Sequence, residues 1–241
     1  MKQRDKYLLH WLGADMINVG HGERFFSAIG ALLGIAGCWG ISLYFVGPQS
    51  TPLIIAAVGA GAVLLFAVPG GPLSQPWPAL GGYLVSAIVG VTCAQWISAT
   101  WLAASLAVGL AILVMHYTRC LHPPGGATAL VAVIGGPDVH ALGYAYVLEP
   151  VMLNALTLFG VALLFNNIVT HRRYPAAWGR TLAAPPQVSA SGILPEHVRA
   201  ALTDMDMVED VSEEDLLNII ARAEAYAARQ GNGGACIAEK E

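Results

Sequence analysis

Charge is what this sequence lacks. Between Arg24 and Arg172 lie 147 residues carrying three charged side chains, Arg119, Asp138 and Glu149. A soluble domain of that size needs a charged surface; such domains carry about 25% charged residues, whereas this chain carries 12%. The shortage excludes a soluble fold for this stretch and leaves the bilayer as its solvent, where a spanning helix needs about 20 mostly apolar residues. Basic residues are also too few and too scattered to form a face for nucleic acid. Cysteine is scarce: four residues, with no CxxC pair, indicate neither a disulfide framework nor a zinc site. No nucleophile–base pair, phosphate loop or metal cluster is legible. An enzyme is not expected, nor is a cofactor or a metal.

What is present is 56% hydrophobic, with a mean hydropathy of +0.58. Residues 1–24 read as a cytoplasmic N-terminal segment, since the apolar stretch after Lys2, Arg4 and Lys6 is too short for a signal and no cleavage site follows. The block 25–171 reads as the transmembrane domain. Its apolar runs are 25–46, 52–68, 79–97, 101–117, 125–134 and 147–169, broken at prolines, glycines and the few charges. Pro52 suits the first position of a helix. Residues 172–192 read as a linker and 193–241 as an acidic helical cytoplasmic tail, in which Ser212 is an N-cap candidate. About forty residues are too few for an independent core, so the tail is expected to dock on a cytoplasmic partner or stay mobile.

The expected fold is an all-α membrane bundle of five to six transmembrane helices. The order of pieces repeats: a long run, a short run, then Gln75-Pro76 or Glu149-Pro150 opening another long run, 74 residues apart. Two inverted repeats of three follow if all six runs cross. Six crossings from a cytoplasmic N-terminus put Arg119 and Arg172-Arg173 inside, as the positive-inside bias prefers. Four spans with two re-entrant segments at 52–68 and 123–135 is the competing count. It also keeps both termini inside but puts Arg119 outside. Small residues recur every four positions, at Gly82, Ser86, Gly90 and Ala94 and at Ala103, Ala107 and Ala111, with a Gly30/Gly34 pair in the first run. Such stripes let membrane helices pack closely and leave a homo-oligomer open.

The polar exception is Leu121-His122-Pro123-Pro124-Gly125-Gly126-Ala127-Thr128. It opens a short helix at membrane depth, where unpaired amides and the helix dipole attract an anion. Transporters use broken helices this way. Pro123 and Pro124 fix the entry, and Gly125, Gly126 and Ala127 offer amides. Thr128 offers a hydroxyl, and Arg119 and His122 add positive potential. Thr51 begins the matching short helix of the first half. Gln75, His116, Glu149, Asn154 and Asn166 are candidates for lining a pore. Snorkelling for Arg119, a packed imidazole for His116 and inter-helix hydrogen bonding for the asparagines are the plain structural alternatives.

The run 118–130 resembles the His-Pro-Pro signature of the HPP family. Pro72-Leu73-Ser74-Gln75-Pro76 followed by Gly81-Gly82-Tyr83-Leu84-Val85-Ser86-Ala87 resembles its second hallmark, and Phe165-Asn166-Asn167 the end of its last span. The match covers about residues 20–175; Tyr83 stands where a histidine is more often expected and Trp77 where a basic residue is. The resemblance implies an integral membrane protein, usually of four predicted spans, with members linked to nitrite transport. A multi-pass permease or channel of the cell inner membrane for a small monovalent anion, nitrite first, is therefore the leading expectation. The competing expectation is a sensor or scaffold that conducts nothing and whose acidic tail binds a partner.

Overall fold

A computed structural model describes residues 20–168, 172–179, 197, 216–217 and 219–221. The expectations for the first 19 residues, for the linker and for most of the acidic tail fall outside these residues. Within the described residues all regular structure is helical. The helices are α1 (His21–Ala67), α2 (Pro76–Trp96), α3 (Thr100–Tyr117), α4 (Pro123–Ile134), α5 (Pro137–Leu142), α6 (Leu153–Asn166) and α7 (Ala176–Gly179). A 3-10 turn, Pro72–Ser74, precedes α2, and a wide π-type turn, Val147–Met152, leads into α6. Four stretches are long and apolar enough to cross a membrane: His21–Ala67, Pro76–Trp96, Thr100–Tyr117 and Val147–Asn166.

The first of these is two crossings. Phe66 packs against Gly30 and Gly34, although 36 residues of straight helix would hold Gly30 and Phe66 about 54 Å apart. The chain turns back at Gly47, whose φ of 68° and ψ of 177° lie outside any helix. Only glycine adopts that conformation without strain. The second arm, 48–67, therefore starts at Pro48, four residues earlier than the expected Pro52. Likewise α2 starts at Pro76, ahead of the apolar run at 79, and α4 starts at Pro123, where the motif was expected to open it. The reason is common to all three. A proline in the first turn removes an N–H that has no intrahelical partner, so it opens a helix and need not precede one.

Two ends of the bundle can be told apart by their ties. At one end, the near end, Arg172 Nη1 donates to Phe66 O at 3.0 Å, Trp77 Nε1 to Thr118 O at 3.0 Å and the Tyr174 hydroxyl to Ser74 O at 2.7 Å. At the far end Ser50 Oγ donates to Gly135 O at 3.4 Å, and Thr92 and Tyr144 share a 2.9 Å hydrogen bond. The chain thus passes between the ends six times, over 21–46, 48–67, 76–96, 100–117, 123–134 and 147–166. Arg119 falls at the same end as Arg172, as the six-crossing count requires. The 12-residue α4 spans about 18 Å, short of an apolar core of about 30 Å. An extended lead-in through His122 lengthens that pass at its near end. Exposed aromatics ring both ends, Tyr44, Trp96 and Trp101 at the far one and Trp77, Tyr117 and Trp178 at the near one. That is the distribution expected of residues anchored at the two membrane interfaces.

The contacts bear out the repeat in the order of elements. In the first half α2 leaves its own partners and packs on the second half. Gly82 lies against His122, Gly90 against Ala129, and Ser86 Oγ 3.5 Å from Met115 Sδ. In the second half α6 does the reverse, with Leu158 against Gly34 and Gly61 and Phe165 against Gly30. Each half gives its third helix to the other, and the halves run in opposite senses. The small-residue stripes are occupied by these contacts: Ala103, Ala107 and Ala111 are buried. They lend no support to a second copy of the chain.

Candidate functional site

The sequence places the site at the start of α4, and the geometry there settles what its amides can do. Pro123 and Pro124 have no N–H to offer. The next amide, Gly125 N, is bonded to His122 O at 2.8 Å. The helix start that the sequence reading expected to cradle an anion is therefore short of bare donors. Nor is Gly125 open to a solute. A Cβ there would overlap Ser86 Oγ and lie 3.0 Å from Gly82 O and 3.1 Å from Met115 Sδ, so this glycine lets α4 approach α2 and α3. Pro124 and Thr128 are buried, Gly126 and Ala127 half-buried and Pro123 exposed. The Thr128 hydroxyl donates to Pro124 O at 3.1 Å, and the Thr51 hydroxyl donates to Gly47 O at 2.6 Å. Both threonines close their own helical turns, Thr51 at the far end and Thr128 midway along α4.

His122 is different. It is 0% exposed, its Nδ1 lies 3.0 Å from Leu73 O, and its ring meets Tyr83 edge-on at 5.1 Å between centroids. Its Nε2 is buried without a hydrogen-bond partner. The extended lead-in to α4 aims the ring inward, over the Gly82 backbone that has no side chain to block it.

From His122 a line of buried polar groups runs along the boundary between the two halves. The Tyr83 hydroxyl fills the space a Cβ would need at Gly61 and sits 3.5 Å from Ala57 O. Leu158 packs on Gly61 from the other side. One turn along α6, Asn154 Nδ2 donates to Ser42 Oγ at 2.7 Å, and Cys38 Sγ lies 3.5 Å from Asn154 O. Asn154 Oδ1 is buried with no partner. On the second half's side the Tyr146 hydroxyl donates to Thr128 O at 3.1 Å. None of these six side chains exceeds 2% exposure. The seam is polar, buried and lined by no charged side chain among those named.

The other expected site residues fall elsewhere. Asn166 joins helices: its Nδ2 donates to Leu65 O at 2.9 Å and its Oδ1 accepts from Arg172 at 2.8 Å. Gln75 organises the near-end loop, donating to Pro69 O and Gly71 O and accepting from Ala176 N. His116 and Arg119 are exposed at the near end, and Glu149 is exposed at the far end. Arg119 has φ 55°, a left-handed conformation that turns the chain between α3 and α4. Arg172, which the sequence marks only as a topology signal, is 5% exposed. It pairs with Glu23, donates to Phe66 O and to Ser27 Oγ at 2.8 Å, and lies over the Phe26 ring. No group of three metal-ligating side chains gathers among the described residues.

Sequence reasoning missed Ser42, Cys38 and Tyr146, and noted Tyr83 only as a departure from a pattern. The available signal was periodicity: Cys38 and Ser42 are four apart, on the same helical face as Gly30 and Gly34. A cleft of about 150 Å³ lies at the far end among Val91, Gln95, Ala132, His140 and Gly143.

With this geometry in hand, the comparisons with known proteins fall into place. A family described as "HPP, transmembrane region" matches residues 17–175. Two proteins of Dictyostelium discoideum, named only as transmembrane proteins, are 40% identical over 134 residues and 38% identical over 130 residues. These alignments cover 54% and 52% of this chain and 43% and 45% of those proteins, so the chain spans less than half the length of either relative. No solved structure matches.

Proposed function

This chain belongs to the HPP transmembrane family, and from that premise we propose that its bundle carries a small monovalent anion through the seam between its inverted halves. The observation that carries this reading is the pair of unmatched buried polar atoms in that seam, His122 Nε2 and Asn154 Oδ1; both are acceptors, so they mark the place of a polar solute, and the charge of an anion falls to the donor beside them. Leaving a buried polar group unpaired costs about 1–3 kcal/mol, and polar groups held at membrane depth mark solute paths. Inverted repeats meeting at a polar boundary are also the arrangement in which one half rocks against the other around a central solute. Uncharged donors serve an anion here. Ser42 accepts from Asn154 and so keeps its own proton to donate, whereas the Tyr83 and Tyr146 hydroxyls give theirs to Ala57 O and Thr128 O. A free hydroxyl donor of this kind replaces the buried lysine that the sequence lacks.

Nitrite is the ion the family resemblance names. Exposed Arg119 draws anions to the near mouth, which is the cytoplasmic one, with both termini on that side of the inner membrane. Residues 25–171 form the carrier, while the linker 172–192 and the acidic tail 193–241 serve a cytoplasmic partner. Uptake of nitrite, nitrate, formate and bicarbonate into proteoliposomes tests the reading, with Asn154→Leu as the decisive variant. Leucine has the same branched shape, and removing the unmatched oxygen offsets the lost bond to Ser42 Oγ, so the expected outcome is lost uptake at a little-changed melting temperature. Normal uptake with a lowered melting temperature makes Asn154 a helix tether and removes the seam. A scaffold, by contrast, passes none of the four anions and loses its function when residues 185–241 are deleted.

A further inference from the structure

His122 holds chemistry that an anion carrier alone does not use. A backbone carbonyl only accepts, so Nδ1, at 3.0 Å from Leu73 O, carries the ring proton. In the neutral ring Nε2 is then a bare lone pair. It is fully buried and unpartnered. A lone pair repels an anion but takes a proton, or the acidic hydrogen of a weak acid. The surroundings supply no competitor for it. From α2 the ring faces Tyr83, whose hydroxyl is directed at Ala57 O. Cys120, two residues earlier, has its thiol 3.0 Å from the Thr118 hydroxyl. The arm 48–67 has no titratable side chain, and no Asp or Glu occurs between Glu23 and Asp138. Glu23 itself is paired with Arg172. His116 and Arg119 are exposed at the outer surface.

We propose that His122 Nε2 is a proton-binding site and that each anion crosses with one proton, a claim that rests on the transport reading above. A proton from the near side, free or brought by the weak acid HA, bonds to Nε2. The imidazolium then donates from both nitrogens, Nδ1 still to Leu73 O and Nε2 to the anion A⁻, and the two charges cancel inside the bundle. On the far side the Nε2–H bond breaks, the proton and A⁻ leave together, and the neutral ring returns. No net charge moves. The scheme removes the cost of an unpaired charge in the membrane interior, which an anion held by uncharged donors alone would bear.

The test is nitrite uptake into proteoliposomes of the full chain, corrected for protein-free vesicles, under a pH gradient and, separately, under a potassium diffusion potential. One unit of inside-alkaline gradient is expected to drive about tenfold accumulation, the equilibrium ratio for one proton per anion. The diffusion potential is expected to leave uptake unchanged. His122→Gln puts a permanent donor where the imidazolium would be. It is expected to lose the pH-driven accumulation. Wild-type uptake that follows the potential and ignores the gradient overturns the proposal, as does a folded His122→Gln that accumulates like the wild type. Should that variant fail to fold, the wild-type comparison still decides. If folded wild-type protein moves no nitrite at all, the transport reading itself is lost, an outcome distinct from any of these.

Discussion

Gly90→Ala measures how tightly the exchanged helix is seated. A Cβ at Gly90 would lie 2.6 Å from Ala129 O and 2.8 Å from both Ala129 Cα and Ala132 Cβ. Two of these atoms are backbone and cannot swing aside. With carbon contacts optimal near 3.5–4.0 Å, α2 and α4 must part by about 0.7 Å or more, and a gap of that size forfeits roughly a quarter to a half of each dispersion contact across it. Overpacking of this kind costs about 1–3 kcal/mol. Helix propensity pulls the other way, favouring alanine by about 0.5–1 kcal/mol. The steric effect wins by about 1–2 kcal/mol, so melting should fall by roughly 2–8 °C at the usual 2–4 °C per kcal/mol for chains of this size. Gly109→Ala on α3 is the control. Nothing lies within 4 Å of a Cβ there, so only propensity acts and melting should stay level or rise. Cys38, Cys93 and Cys120 are free and buried, so a maleimide dye that fluoresces on reacting with thiols reports unfolding in detergent, in a Cys236→Ser background. Gly90→Ala melting at or above the wild type would show that the two helices are not in contact as described.

Other perturbations check separate parts of the architecture. Gly47→Ala meets no neighbour but forces a side chain onto φ 68° and ψ 177°. A loss of about 1–3 kcal/mol is expected from backbone strain alone, and an unchanged melting temperature argues against a reversal at this residue. Arg172→Gln breaks an ion pair between a buried guanidinium and a half-buried carboxylate and should destabilise by about 1.5–3 kcal/mol. The double variant with Glu23→Gln should lose less than the sum of the two single changes, and strict additivity in that cycle means the two charges are not coupled. Cysteines placed at exposed Arg119 and Glu149 should be labelled by an impermeant maleimide from opposite faces of the membrane. Labelling from one face restores the count of four spans with re-entrant segments.

Much of the fold was legible because bilayer physics is strict about composition. A stretch with three charges in 147 residues has no soluble alternative, and the two Pro-led long runs 74 residues apart announce a repeat. Helix starts were less legible. Pro48, Pro76 and Pro123 each open a helix, yet a proline before an apolar run reads equally as the end of a connection. The reversal at Gly47 was marked by Gly47-Pro48, but nothing local in those residues says that the arms close into a hairpin. That is decided by Phe66 meeting Gly30 and Gly34 across the fold.

The inward-facing His122 was legible in the sequence and its surroundings were not, for a reason that can be traced to single atoms. The motif at 121–128 was rightly picked out as polar punctuation in an apolar block, and His122 does face the interior. A helix N-terminus suggests free amides, but two consecutive prolines delete the donors that the argument needs, and Gly125 uses its own on His122 O. Gly125, which seemed to invite a solute, is filled by Ser86, Gly82 and Met115. The proposed seam is assembled from residues more than 100 positions apart, such as Ser42 and Asn154, brought together because each half lends its third helix to the other. A local motif cannot encode that exchange. The consequence is that substitutions along the seam, and not bulk added at Gly125 or Gly126, should separate loss of transport from loss of folding: a side chain at Gly125 breaks helix packing first, and any flux it abolishes says nothing about where the anion passes.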